Sequence, residues 1–193
     1  MTTPKHFYYF PDLIPEILEE EILTYFMNHP EEQKSVYGEA RQVRQYGYEY
    51  NYSRRGVGEK LPEFPTCISK LLALIPDTDI HTGETSSDDE GEYFDQCICN
   101  RYMPGEGIGK HTDHRSFGNV IACFTLQSGI EMEFERRGEV FKKYVAPRSL
   151  YVMRGECRWN WTHRIRPRKS DVVDGKRVPR SIRWSVTFRN VNH

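Results

Sequence analysis

His111-x-Asp113 and the distant His163 are the residues of this 193-residue chain whose types and spacing can do metal chemistry. Alternate side chains of an extended segment point to the same side, so His111 and Asp113 can converge on one point, with a third donor supplied by another strand. His163 ends the aromatic run Trp159-Asn-Trp161-Thr-His163. Two imidazoles and one carboxylate on one face of an ion leave positions open. That arrangement suits non-haem Fe(II), which has room for a bidentate co-substrate and dioxygen. Zinc accepts the same donor atoms but has no redox chemistry and leaves the rest of the pattern unexplained. Taken alone, His-x-Asp is a short pattern, and His163 also reads as a hydrogen-bonded core histidine.

The segment Arg183-Trp-Ser-Val-Thr-Phe-Arg189 adds a second signal. As a strand it puts Arg183, Ser185, Thr187 and Arg189 on one face and Trp184, Val186 and Phe188 on the other. Two guanidinium groups on an inward face are costly unless anions meet them. A guanidinium forks onto a carboxylate with paired hydrogen bonds, and 2-oxoglutarate carries two carboxylates. The alternative places both arginines on a solvated strand face.

The elements that position these groups follow from periodicity. Asp12 is a candidate cap for a first helix to about Met27, with Ile14, Ile17, Leu18, Ile22, Tyr25 and Phe26 as its apolar stripe. Phe64, Ile68, Leu71, Leu72 and Ile75 predict a second helix, stopped near Pro76. Arg44 to Tyr52 reads as a strand or hairpin arm. Short strand-like runs separated by turn residues then occupy 94–102, 119–126, 130–135, 140–145, 149–153, 159–165 and 182–188. The expectation is a mainly β domain with supporting helices, one unit over 1–193.

The stretch Asn100-Arg-Tyr102-Met-Pro104-Gly105-Glu-Gly107-Ile108-Gly109-Lys-His111-Thr-Asp113 resembles the core motif of the AlkB-like Fe(II)/2-oxoglutarate-dependent dioxygenases. Gly155, Trp161-Thr-His163 and the Arg183–Arg189 strand resemble the family's later motifs, in order, and the resemblance implies a catalytic core at about 94–189. The resemblance implies a double-stranded β-helix, a distorted jelly roll. It also implies Fe(II), 2-oxoglutarate and dioxygen as cofactor and co-substrates, with His111, Asp113 and His163 as metal ligands. Arg183 would meet the distal carboxylate of 2-oxoglutarate with help from Tyr102. Arg189 would lie near the metal-bound end and brace Asp113, and Asn100 would hydrogen-bond the co-substrate. Ser185 departs from the bacterial member's pattern, which has Asn there.

The implied reaction couples decarboxylation of 2-oxoglutarate to succinate with hydroxylation of a C–H bond, and an oxidised N-methyl group leaves as formaldehyde. Modified or alkylated bases of RNA or single-stranded DNA are the first substrate reading. Tyr48 and Tyr50 are placed to receive a base, and Arg41, Arg44, Arg54 and Arg55 to meet phosphates. Repair members carry an acid two residues after the ligand Asp. Here that position is Arg115, which turns the expectation away from cationic methylated bases. The wording of Tyr102–Phe117 is similar to the oxygenase domain linked to tRNA wobble uridine. The alternatives are an oxygenase of protein side chains or small molecules, and a non-catalytic nucleic-acid-binding protein.

Composition bounds the rest. A formal net charge of -1 gives no global footprint for nucleic acid, although basic stretches at 41–60 and 164–183 offer local ones. The run from Glu84 to Asp95 is acidic and reads as an exposed loop. Five cysteines form no zinc or disulfide pattern, and reduced thiols in an intracellular protein, cytoplasmic or nuclear, are expected. No targeting signal or membrane span is read, and a monomer is expected.

Overall fold

The computed structural model describes residues 2–36, 41–76 and 94–192, so most of the acidic run from Glu84 lies outside the described residues. In chain order the elements are strand β1 (Phe7–Phe10), helix α1 (Glu16–Asn28), strands β2 (Lys34–Ser35), β3 (Gln42–Tyr46), β4 (Tyr48–Asn51) and β5 (Gly56–Lys60), and helix α2 (Thr66–Leu72). Strands β6 (Gln96–Tyr102), β7 (Ile108–His111), β8 (Val120–Gln127), β9 (Ile130–Arg136), β10 (Glu139–Val145) and β11 (Ser149–Arg154) follow. The short helix α3 (Gly155–Asn160) precedes β12 (Thr162–Ile165), β13 (Ser170–Val173), β14 (Lys176–Pro179) and β15 (Arg183–Arg189).

Seven strands form one sheet in the order β1-β11-β8-β15-β6-β3-β2, and four form a second, β10-β9-β12-β7. The hairpins β4-β5 and β13-β14 stand apart. The double-stranded β-helix, or jelly roll, expected from the resemblance is therefore corrected. The sheets are separate, none closes on itself, and the fold is mixed α/β. Alternation along a strand reports which side chains face inward, whereas strand partners are chosen by long-range pairing that no local pattern records.

That alternation builds two cores on opposite faces of the large sheet. Trp184, Val186 and Phe188 of β15, with Val120, Ala122, Phe124 and Leu126 of β8, pack against Leu18, Ile22 and Phe26 of α1 and Ile68 and Leu71 of α2. The other face presents Tyr102, Ile121, Cys123, Tyr151 and Met153 toward Ile130, Met132, Phe134 and Ile165 of the four-stranded sheet. His111, His163, Arg183 and Arg189 lie between the two sheets.

Two local expectations shift. Helix α1 starts at Glu16 without a side-chain cap. Asp12, instead of capping it, holds φ 48° and accepts a hydrogen bond from Arg148 at 3.0 Å. The run read as a strand from Trp159 begins inside α3, and extended structure starts only at Thr162. All five cysteines are buried and free. No helix among the described residues is long and apolar enough to cross a membrane.

The basic stretch from Arg164 is largely spent on acids rather than offered to a partner. Glu133, 2% exposed at its side chain, accepts from Arg164 Nε at 2.7 Å and Arg166 Nε at 2.8 Å. Asp171 takes Arg180 through paired bonds of 2.8 Å and Arg168 at 2.8 Å. Hydrogen bonding from Arg166, joined by Arg164, holds the Glu133 carboxyl down at about 2, against an ordinary 4.5, although burial opposes the shift. A depressed carboxyl contributes stability above its unfolded pKa and loses it as pH falls through the folded value. The melting temperature is therefore expected to decline between about pH 4.5 and about pH 2. Glu133→Gln should lower it at neutral pH and flatten that part of the acid curve in calorimetry. An unchanged acid limb would remove Glu133 from the account.

Candidate active site between the two sheets

Gly107 lets β7 reach the second sheet. A Cβ there would sit 2.2 Å from the Ile165 carbonyl oxygen, so only glycine permits this approach. The resulting pairing sets His111 directly opposite His163, and the ring centroids are 4.3 Å apart. Strand β7 ends at His111, and Asp113 follows in the loop. The Asp113 carboxylate lies 3.5 Å from His163 Nε2 and 3.0 Å from Arg189 Nη2. Among the described residues, no three His, Cys, Asp or Glu donors are drawn into metal-ligating positions. The three side chains instead share one wall of a cavity of about 610 Å³.

The donor chemistry suits a divalent metal. His111 Nδ1 lies 2.8 Å from the Gly109 carbonyl, which takes that nitrogen's proton and leaves the Nε2 lone pair for a ligand. Burial, then the neighbouring His111, pushes the His163 pKa down to about 3, so the imidazole is neutral at physiological pH. Asp113 is held well below the usual carboxylate range by Arg189 and the two histidines, against the cost of its burial.

The inward face of β15 supplies the rest. Arg183, Ser185, Thr187 and Arg189 all line the cavity, with Asn100 and Tyr102 from the neighbouring β6. Arg183 is 2% exposed; its Nη2 donates to Thr125 Oγ1 at 2.9 Å, and its guanidinium lies 5.6 Å from the Tyr102 ring centroid. It has no acidic partner among the described residues, and its buried Nε has no hydrogen bond. An unneutralised buried guanidinium facing a cavity is the signature of a site that receives an anion. These residues fit Fe(II) and 2-oxoglutarate.

The residues expected to touch substrate divide. Arg41, Tyr50 and Arg55 line the cavity, joined by Tyr52 and His114. Arg41 Nε donates to Asn100 Oδ1 at 3.0 Å. Arg44 is not brought to the cavity. It is 1% exposed and donates to the carbonyls of Phe26 and His29, both at 2.6 Å, tying β3 to the end of α1. Tyr48, Arg54 and Arg115 also lie outside the cavity lining. Arg115 is exposed, and its carbonyl accepts from Asn192 Nδ2 at 3.1 Å.

Sequence reasoning missed Arg158. The residue is 2% exposed, and its guanidinium donates to the backbone carbonyls of Asp113 (3.0 Å), His114 (2.9 Å), Phe117 (3.1 Å) and Gly118 (3.2 Å). One planar fork thus clamps the loop that carries Asp113. The available signal was slight, an arginine between Cys157 and Trp159 in a segment that also carries Arg154, Glu156 and Asn160.

Comparison with known proteins places the chain in a family. An uncharacterized protein of Acanthamoeba polyphaga mimivirus is 46% identical over 101 residues, covering 50% of this chain and 48% of the relative. The tRNA (carboxymethyluridine(34)-5-O)-methyltransferase alkbh8 of Xenopus tropicalis is 35% identical over 79% of this chain and 26% of the relative. The chain therefore spans half or less of the length of these curated relatives. Among solved structures, OsALKBH1 matches with TM-score 0.71 at 16% identity over 98% of both chains. A Pseudomonas putida prolyl-4-hydroxylase matches with TM-score 0.60 at 14% identity, over 97% of this chain and 94% of that one. Both likenesses concern the fold alone. The family model for the 2OG-Fe(II) oxygenase superfamily matches residues 15–189, so this chain belongs to that superfamily, within its AlkB-like members, and is a dioxygenase by class.

Proposed function

We propose that the protein oxidises modified or alkylated bases of nucleic acid, RNA or single-stranded DNA, by iron- and 2-oxoglutarate-dependent demethylation or hydroxylation. His111, Asp113 and His163 would hold the iron. Arg183, beside Tyr102, would take the distal carboxylate of 2-oxoglutarate, with Asn100 and Ser185 along its length. Arg189 fixes one oxygen of Asp113, so that carboxylate stays ionised and oriented. The bound iron and 2-oxoglutarate supply the oxidising chemistry. The protein's task is to hold the target C–H bond beside them and keep competing reactions out.

The observation that carries the nucleic-acid reading is the cavity wall built by the β4-β5 hairpin. Tyr50 packs against Phe117 at 5.7 Å and Tyr52 at 5.0 Å between ring centroids. These rings and Arg55 border the same cavity as His111 and Asp113. Aromatic walls receive a base taken out of its stack, and arginines beside them meet phosphates. The Xenopus tropicalis relative, a tRNA (carboxymethyluridine(34)-5-O)-methyltransferase by name, supports a nucleic-acid substrate.

The test is succinate release from 2-oxoglutarate by protein supplied with Fe(II), in the presence of methylated RNA, methylated single-stranded DNA or peptide. Stimulation by a nucleic acid is expected, and formaldehyde release marks demethylation. Stimulation by peptide alone would overturn the nucleic-acid reading. The exposed arginines beside the hairpin supply a second expected outcome. Arg54→Ala/Arg55→Ala should weaken polymer binding and reduce the slope of log affinity against log salt by about 0.7 per lost phosphate contact on a single strand. An unchanged slope would place the polymer track elsewhere.

A further inference from the structure

His114 follows Asp113, lines the cavity and stands 6.2 Å from Tyr50 between ring centroids. Its Nδ1 accepts the Ser116 backbone N–H at 3.2 Å and lies 2.7 Å from the Ser116 hydroxyl. A backbone amide only donates, so Nδ1 is the acceptor and the ring hydrogen sits on Nε2. The backbone is fixed as well, because Arg158 Nη2 donates to the His114 carbonyl at 2.9 Å. The result is a preorganised N–H donor beside an aromatic wall, with no hydrogen-bond partner for Nε2 among the described residues.

The charges around it are one-sided. Among the described lining residues Asp113 is the sole acid, and Arg189 and His163 already engage it. The cations are Arg41, Arg55, Lys110, Arg183 and Arg189, of which Lys110 is paired with Glu135 at 2.9 Å, outside the lining. A cationic alkylated base entering here would meet no free carboxylate and would lose its hydration uncompensated. A ring bearing carbonyl or carboxylate oxygens would meet a donor.

We propose that His114 is the specificity-determining residue of this pocket: its Nε2–H donates to an oxygen of a neutral or anionic, uracil-type ring beside Tyr50 and selects it over a cationic alkylated base. The inference rests on the reading of this cavity as the substrate pocket of an oxygenase. It moves the discriminating position from Arg115, which lies outside the cavity lining, to the residue before it.

The test is fluorescence anisotropy on the full chain under nitrogen, with short single-stranded oligoribonucleotides that differ at one base. That base is 5-carboxymethyluridine in one probe and 3-methylcytidine, a cation, in the other. The wild type is expected to prefer the first probe by about tenfold or more, the discrimination one satisfied hydrogen bond supplies. His114→Phe should erase the preference, His114→Gln should restore most of it through its amide N–H, and His114→Asp should reverse it. A wild type that favours the cationic probe, or a His114→Phe protein that keeps the preference, would overturn the proposal. If His114→Phe fails to fold, the opposite shifts of the Gln and Asp variants still decide. Succinate release by the wild type in air with Fe(II), measured alongside, reports separately on the oxygenase reading.

Discussion

Asp113→Ala is expected to reduce iron-dependent succinate formation to background and to lower Fe(II) affinity by more than about 100-fold. Outer contacts to a ligand alone are worth about 10–100-fold, and this substitution removes the proposed ligand itself. It also strips Arg189 of its anion, because that guanidinium lies 3.0 Å from Asp113 Oδ1 and otherwise packs 4.6 Å from the Phe117 ring centroid. An unpaired buried cation left behind costs about 3–5 kcal/mol, so the metal-free protein should also melt earlier. His111→Ala separates the two effects. His111 has no ion-pair role of this kind, its Nδ1 bonding only to the Gly109 carbonyl at 2.8 Å. Turnover should fall as far as in the Asp113 variant, with little change in the metal-free melting temperature. Co(II) absorption titrations with parallel calorimetry check both arms. Wild-type metal affinity in either variant would remove these residues from the centre.

The inward row on β15 was legible because a period of two is a local property: Arg183, Ser185, Thr187 and Arg189 share a face whatever the strand pairs with. The separation of the sheets was not legible in that way. Pairing β15 between β6 and β8 is decided by residues far along the chain, as in the registers Thr187↔Cys123 and Ser185↔Asn100. The expected jelly roll came from resemblance rather than from the residues. Arg41 and Arg44 looked equivalent in sequence, yet they stand three positions apart at the start of an extended strand and take opposite sides. One lines the cavity, and the other is swallowed by the carbonyls that end α1. Arg158 was hidden for a related reason. A guanidinium bound to four main-chain carbonyls has no partner type that a sequence pattern can display.

The Arg183 substitution separates function from stability most sharply. Arg183 is buried, holds one hydrogen bond at 2.9 Å and has no acidic partner among the described residues. Replacing such an unneutralised cation by an apolar side chain of similar length relieves its desolvation, so Arg183→Met should leave the ligand-free melting temperature unchanged or raise it. The same change should cost about 2–5 kcal/mol of 2-oxoglutarate binding, roughly 30-fold to several thousand-fold in affinity, because a charge-assisted fork to a carboxylate is lost. Arg183→Lys keeps the charge but loses the planar fork, and should fall between the two. Thermal shift with 2-oxoglutarate reads both quantities in one experiment. A ligand raises the melting temperature only as far as it binds the folded state, so the wild-type shift should vanish in Arg183→Met while its ligand-free baseline holds. A Met variant that keeps the shift would mean the dianion sits elsewhere. One that unfolds without ligand would mean the arginine is there to hold Thr125 and the strand beside it.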